Sequence, residues 1–325
     1  MHPQQARPRS LQSTIVRTVP RAPAPLRWLL GGASRLAPRV TARWGEARFL
    51  TPLRQRGRTR APEVWARAAA EPFPFEDLDL ASWSWGEGER TVWLVHGWSG
   101  SSRQLAGMVP AFEAVGWRVR AWDHPAHGAS PGRRTHLAQL SRVLAAAALR
   151  FGPPDAVIAH SFGAAATSLA LARGLRAGRV ALLAAPAELE HFGAVFAHFL
   201  GLSDGVRRRL QERVAHRIGG SWRDLAPERL APHLGAVPAL VVHDAGDREV
   251  PVEHGRRLSA AWPGAELVLT EGLGHSWILS DAAVVERVRG FVTAERAAVL
   301  QGGGAVRVGG RSPVRGGRRE AEGGR

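Results

Sequence analysis

Ser161 stands where an apolar run, Ala156–His160, gives way to Gly163-Ala164-Ala165-Ala166 and a helix-like stretch. The local pattern Ala159-His160-Ser161-Phe162-Gly163 approaches the strand–turn–helix signature G-x-S-x-G, with alanine in place of the first glycine. A serine in such a turn lifts its hydroxyl above a sheet edge, at the positive end of the following helix. Small neighbours are needed because the turn is strained and the helix must come close to the strand. Taken alone, the pattern also fits a serine that merely caps a helix. A hydroxyl becomes a useful nucleophile only beside a base.

Two later segments offer partners. Ala239–His243 runs into Asp244-Ala245-Gly246-Asp247-Arg248-Glu249-Val250-Pro251, and Glu266–Thr270 runs into Gly272-Leu273-Gly274-His275-Ser276-Trp277. Upstream, Thr91–Val95 ends in His96-Gly97-Trp98-Ser99-Gly100, whose glycines let backbone approach a ligand. There the amides of Trp98 and Phe162 would face a developing oxyanion. Each candidate follows a strand-like run, in the order serine, aspartate, histidine.

These motifs resemble the α/β-hydrolase family. The resemblance runs from about Leu80 to Val292 and includes Asp123-His124-Pro125-Ala126-His127-Gly128-Ala129-Ser130, which looks like the family's D-x-P-G-H-G-x-S loop. It implies an α/β fold with a mostly parallel central sheet flanked by helices, and the strand-free stretch Glu188–Leu234 reads as a small helical lid. It also implies Ser161 as nucleophile, Asp247 as acid, His275 as base, and Trp98 and Phe162 as the oxyanion hole. Ala159 and Ala126 replace glycines of the family pattern, small for small. Asp244 competes for the acid's place, and the D-x-x-V-P context favours Asp247.

The expected activity is cleavage of an acyl ester or thioester through an acyl-enzyme, with a small-molecule acyl substrate. Epoxide and haloalkane hydrolases of the same fold use an aspartate nucleophile, which Ser161 disfavours. A peptidase, acyltransferase or perhydrolase could use the same three residues. A non-catalytic ligand-binding relative is the alternative from a different class. Trp98 and Trp277 flank the proposed site as candidate pocket residues, and both equally suit a core.

Composition narrows the chemistry. The chain has no cysteine, which removes disulfides, thiolate metal sites and a cysteine nucleophile. All 44 basic residues are arginine, so no lysine serves a phosphate loop, a Schiff base or a Ser–Lys dyad. No H-E-x-x-H or similar spacing occurs, so neither metal nor cofactor is expected. His124 and His127 read as turn-stabilising, and His96 and His160 as packing residues.

The net charge of +16 sits in the tails: +12 over residues 1–60 and +4 over 301–325, leaving 61–300 neutral. The division expected is therefore a basic extension (1–60), a hydrolase domain (61–300) with a lid at about 188–234, and a disordered Gly/Arg-rich tail (301–325). Without interleaved aromatics the tail does not suggest specific nucleic-acid binding. Residues 1–25 read as disordered. Leu26–Leu53 reads as one or two amphipathic helices broken near Gly31-Gly32 and Pro38. Such an arm would pack on the main domain, touch an anionic membrane surface weakly, or serve as a transit segment. Arg207, Arg208, Arg209, Arg213 and Arg217 suggest a solvated lid face or an attractor for an anionic substrate. No apolar run is long enough to span a membrane, and a cytoplasmic location is the expectation.

Short β-rich runs alternate with helical stretches, as in a helix-covered parallel sheet. Strands are expected at Leu80–Trp85, Thr91–Val95, Trp117–Trp122, Ala156–His160, Val180–Leu183, Ala239–His243 and Glu266–Thr270. Helices are expected at Gln104–Val115, Thr135–Phe151, Phe162–Arg173, Val252–Trp262 and Asp281–Ala294.

Overall fold

The computed structural model describes residues 21–54, 61–294 and 306–308. Helices α1 (Ala24–Leu36) and α2 (Pro38–Phe49) form an N-terminal arm. Pro38 ends one and opens the other, because proline fits a first turn and not an interior. Next come α3 (Pro62–Ala66) and strands β1 (Ala69–Ala70), β2 (Phe73–Phe75), β3 (Leu78–Leu80), β4 (Ser82–Trp85) and β5 (Thr91–Val95). A 3-10 segment, Ser102–Met108, leads into α4 (Val109–Glu113), β6 (Arg118–Trp122), α5 (Leu137–Phe151), β7 (Ala156–His160), α6 (Phe162–Ala172) and β8 (Arg179–Leu183). An insertion carries α7 (Glu190–Leu200), α8 (Asp204–Ile218) and α9 (Pro227–Leu230). The chain resumes with β9 (Ala239–Asp244), α10 (Val252–Ala261), β10 (Glu266–Thr270), α11 (Gly274–Trp277), α12 (Ala282–Thr293) and β11 (Val306–Val308).

Nine strands form one sheet in the order β1-β4-β6-β5-β7-β8-β9-β10-β11. Only the β1/β4 and β4/β6 pairs are antiparallel. Both faces are covered, and the central strands divide their residues between them. Trp93, Val95, Val157, Ala159, Leu182 and Val241 pack with α5 and α6 on one side. Val92, Leu94, Ile158, Leu183, Leu240 and Val242 pack with α4 and α12 on the other. That is why these runs read as continuously apolar rather than alternating. From β5 the chain goes to β6 on one side and then crosses back to β7 on the other. Such a switch point opens a crevice beyond the carboxyl ends of the two strands.

Several expectations are corrected. The strand placed at Leu80–Trp85 is divided at Ala81: β3 pairs with β2 in a separate hairpin, and β4 joins the main sheet. The helix placed at Gln104–Val115 is a 3-10 segment followed by α4. The break near Gly31-Gly32 does not occur, for α1 runs through both glycines. Gly31 instead lies against the backbone of Gly201 at the end of α7. Within the segment read as a tail, Val306–Val308 adds an edge strand parallel to β10. Residues 1–20 and 309–325 lie outside the described residues.

The arm packs on the insertion. α2 buries Thr41, Ala42, Gly45 and Glu46 as it crosses α8. Gly45 permits the approach, because a Cβ there would meet Leu210 Cδ1 at 2.9 Å. The buried Glu46 carboxylate accepts hydrogen bonds from Arg213 Nε (2.6 Å) and Arg217 Nε (2.9 Å). Arg207 pairs with Asp204 at 3.1 Å. Three of the five insertion arginines thus have acidic partners rather than forming a purely solvated face.

Candidate active site

Ser161 follows β7 directly and caps α6 with φ 52° and ψ −125°. This is the strained turn that the sequence pattern called for. Its amide donates to the Leu183 carbonyl of β8 at 2.9 Å, which fixes the turn to the neighbouring strand. Gly163 sits where α6 crosses the end of β5. A Cβ there would meet His96 O at 2.4 Å and Val95 O at 2.9 Å, so the second glycine of the motif is irreplaceable. Ala159 is different: it lies within β7, fully buried in the core, where a methyl group has room.

The loop after β5 lies beneath this turn. A Cβ on Gly97 would stand 2.9 Å from Ser161 Cβ. Among the described residues, neither the Trp98 nor the Phe162 amide donates to a protein acceptor. The Trp98 ring is held edge-on against Phe162 (5.4 Å) and His127 (5.5 Å). His96 braces the loop from below: its Nδ1–H donates to Gly97 O at 2.8 Å, and its Nε2 accepts from the His124 amide at 3.0 Å. Burial holds the His96 pKa down at about 4, so its ring is neutral. The Asp123–Ser130 loop is a second brace. Asp123 accepts from the Ser102 amide (2.7 Å), the Ser102 hydroxyl (2.8 Å) and the Ala129 amide (2.8 Å). His124 and His127 lie in the same packed cluster.

Two aspartates follow β9, and the structure brings Asp247 to His275. The imidazole Nδ1–H donates to Asp247 Oδ2 at 2.7 Å. Asp247 Oδ1 accepts the Glu249 and Val250 amides at 2.8 and 2.9 Å. Asp244 is occupied elsewhere, accepting from Gly246, Thr270 and Leu273, all at 2.9 Å, and thereby tying the β9 and β10 loops together. Burial opposes charge on Asp247, but the His275 bond and the backbone donors outweigh it and lower its pKa. Burial likewise opposes charge on His275; the hydrogen bond and charge of Asp247, with the Glu249 carboxylate, win and raise it. With Nδ1 protonated toward Asp247, Nε2 is left as the basic nitrogen.

His160, one residue before Ser161, packs its ring at a tilt against the His275 ring at 4.7 Å and donates from Nε2 to the His275 carbonyl at 3.0 Å. It locks the backbone that carries His275. The Ser161 hydroxyl itself has no hydrogen-bond partner among the described residues. It and His275 open on the same cavity, as does Glu249, whose carboxylate lies 3.9 Å from His275 Nε2.

That cavity measures about 1050 Å³, at the top of the range of about 300–1,000 Å³ for small-molecule sites. Ser161, Trp98, Phe162 and His275 line it, and its walls are mostly apolar, with Phe192 and Phe196 of α7, Trp222, and Trp44, Phe49 and Leu50 of the arm. Trp98 thus lines the cavity. Trp277 does not; it is 61% exposed at the end of α11. The contribution of the arm was not visible in the sequence. Packing of the arm on the main domain was one of the readings of its apolar residues, but nothing in them pointed to the cavity. Among the described residues, no group of three or more His, Asp or Glu is placed to hold a metal ion.

Comparison with known proteins bears on the fold. A family model described as serine aminopeptidase, S33, matches residues 86–215, and one described as TAP-like protein matches residues 222–298. No curated protein matches the chain. Among solved structures, an esterase of Pyrococcus furiosus is similar with a TM-score of 0.56 at 20% identity, over 74% of this chain and 98% of that one. An esterase of a Rhodococcus species gives 0.54 at 18% identity, over 70% and 98%. A bromoperoxidase of Bacillus anthracis gives 0.52 at 16%, over 69% and 99%.

Proposed function

From the premise that the chain belongs to the α/β-hydrolase fold family, we propose that it is a serine hydrolase cleaving acyl ester or thioester bonds through an acyl-enzyme. One observation carries the reading. Ser161, in a strained turn, and the Asp247–His275 pair at 2.7 Å face one apolar cavity. A receptor has no need of a buried, hydrogen-bonded aspartate that makes a histidine more basic.

In this mechanism the substrate carbonyl enters beside the Trp98 and Phe162 amides. His275 Nε2 takes the Ser161 proton as Oγ bonds to the carbonyl carbon, and the amides hold the resulting oxyanion. Collapse of the tetrahedral species expels the alcohol or thiol, which receives the proton from His275. Water, deprotonated by the same nitrogen, then cleaves the acyl-enzyme. Asp247 keeps the imidazole oriented and stabilises its cationic form. The Ser161–His275 bond forms when substrate engages, since catalytic hydrogen bonds are often loose in free enzymes. Phe192, Phe196 and Phe49 suit an apolar acyl group, and the helical insertion that carries Phe192 and Phe196 takes the part of the lid.

A fluorophosphonate probe tests the assignment. Wild type is expected to be labelled, with labelling lost in Ser161→Ala and strongly slowed in His275→Ala. An unlabelled wild type, or equal labelling of Ser161→Ala, would refute it. Peptide-bond cleavage is the second reading, favoured by the description of the family model that spans the nucleophile. Turnover of amino-terminal peptide amides in preference to acyl esters would select it.

A further inference from the structure

The outward face of the arm carries apolar and cationic residues side by side. On α1, Trp28 is 81% exposed and Leu29 69%, Leu36 at its end is 90% exposed, and Val40 on α2 is 67% exposed. Single exposed apolar residues are ordinary, but several on one short arm mark a contact surface. Arg35, Arg39 and Arg43 are exposed among them, and none has a carboxylate partner among the described residues. The only acid between residues 22 and 54 is Glu46, which is buried beneath α2 and committed to Arg213 and Arg217. The exposed charge of the arm is therefore entirely positive. Moreover, Leu26, Trp44, Leu53 and Phe199 are at once exposed and part of the cavity lining, so the apolar surface continues into the cavity mouth.

We propose that this arm docks the protein on an anionic lipid surface. Trp28, Leu29, Leu36 and Val40 enter the boundary between headgroups and acyl chains, while Arg35, Arg39 and Arg43 meet lipid phosphates. The cavity mouth then faces the lipid. An apolar strip with an indole, framed by cations and without acids, is the chemistry of an interfacial helix. A second copy of the chain fits less well, because a two-fold interface would press the same arginines against each other. Nucleic acid fits less well too, since Leu29, Leu36 and Val40 offer no stacking faces.

The docking does not depend on the catalytic reading, so Ser161→Ala should bind lipid as wild type does. The test is co-sedimentation of the full chain with vesicles of phosphatidylcholine alone or mixed with phosphatidylglycerol, at several salt concentrations. Wild type is expected to bind only the mixed vesicles, more weakly as salt rises. Arg35→Ser/Arg39→Ser/Arg43→Ser should lose affinity on the order of a hundredfold. Trp28→Ser/Leu36→Ser/Val40→Ser should lose at least about tenfold. All six residues are exposed, and unchanged thermal melts will show that the variants fold. Absence of binding to the mixed vesicles overturns the proposal, as does binding that survives both triple substitutions. So does a dimer, formed without lipid, that the apolar triple variant abolishes.

Discussion

His275 is pulled in two directions. Burial disfavours its cation, while Asp247 at 2.7 Å and Glu249 at 3.9 Å favour it, and the carboxylates prevail. Only the neutral ring can accept the Ser161 proton. As pH falls, kcat/KM should therefore decline through an apparent pKa above the ordinary 6.5. Glu249→Gln removes one of the raising charges and should move this acid limb to lower pH while leaving the plateau in place. A pH–rate profile with a wild-type limb at or below that value, or one unmoved in the variant, would contradict the arrangement. At this scale the sequence was informative about what local motifs encode. Ser161, Asp247 and His275 each stand in a recognisable turn after a strand. It was silent about Glu249 and about the bond from His160 to the His275 carbonyl, because both arise only when loops from different strands meet.

Among the elements, the crossing of α6 over β5 is the tightest joint near the site. Gly163→Ala would drive a methyl group into the His96 carbonyl at 2.4 Å, and neither backbone can yield without parting helix from sheet. A loss of about 3 kcal/mol is expected. Ala159→Gly, by contrast, removes one buried methyl group and should cost about 1 kcal/mol. Urea unfolding of both variants checks the contrast; similar losses would mean that the joint is not set by Gly163. Strands such as β5 and β7 were legible to the residue because, buried on both sides, they consist of short apolar runs with abrupt polar or glycine boundaries. The β2–β3 hairpin was missed because Pro74, Asp77 and Asp79 give it the composition of a loop, although Phe73, Phe75 and Leu80 are buried. The expected break in α1 failed for the opposite reason. Packing against α7 carries the helix through two glycines that local propensity would not favour.

Across the whole molecule, histidine burial dominates the response to acid. Burial pushes the pKa of His96 down to about 4 and those of His127, His160 and His254 to about 3, and holds His124 well below its ordinary value. In the unfolded chain these rings titrate near 6.5. Above that pH they are neutral in both states and their contribution is fully present. Below it the unfolded chain takes up protons that the folded one refuses, so stability falls as pH descends toward the folded values. Each ring contributes a slope of up to about 1.4 kcal/mol per pH unit. His275, shifted the other way, opposes this as a single group. Denaturant midpoints are expected to drop steeply between pH 7 and 5, and a flat profile there would show that the rings are not held neutral.

The position of the arm has a consequence for descent as well as for binding. Phe49 and Leu50 come from a stretch ahead of the first sheet strand, whereas Ser161, Asp247 and His275 belong to loops that follow strands much later. The two groups line one cavity from separate parts of the chain. A lineage can remodel the container wall by rewriting the arm without disturbing the reactive atoms, so what fits and what reacts are free to evolve separately.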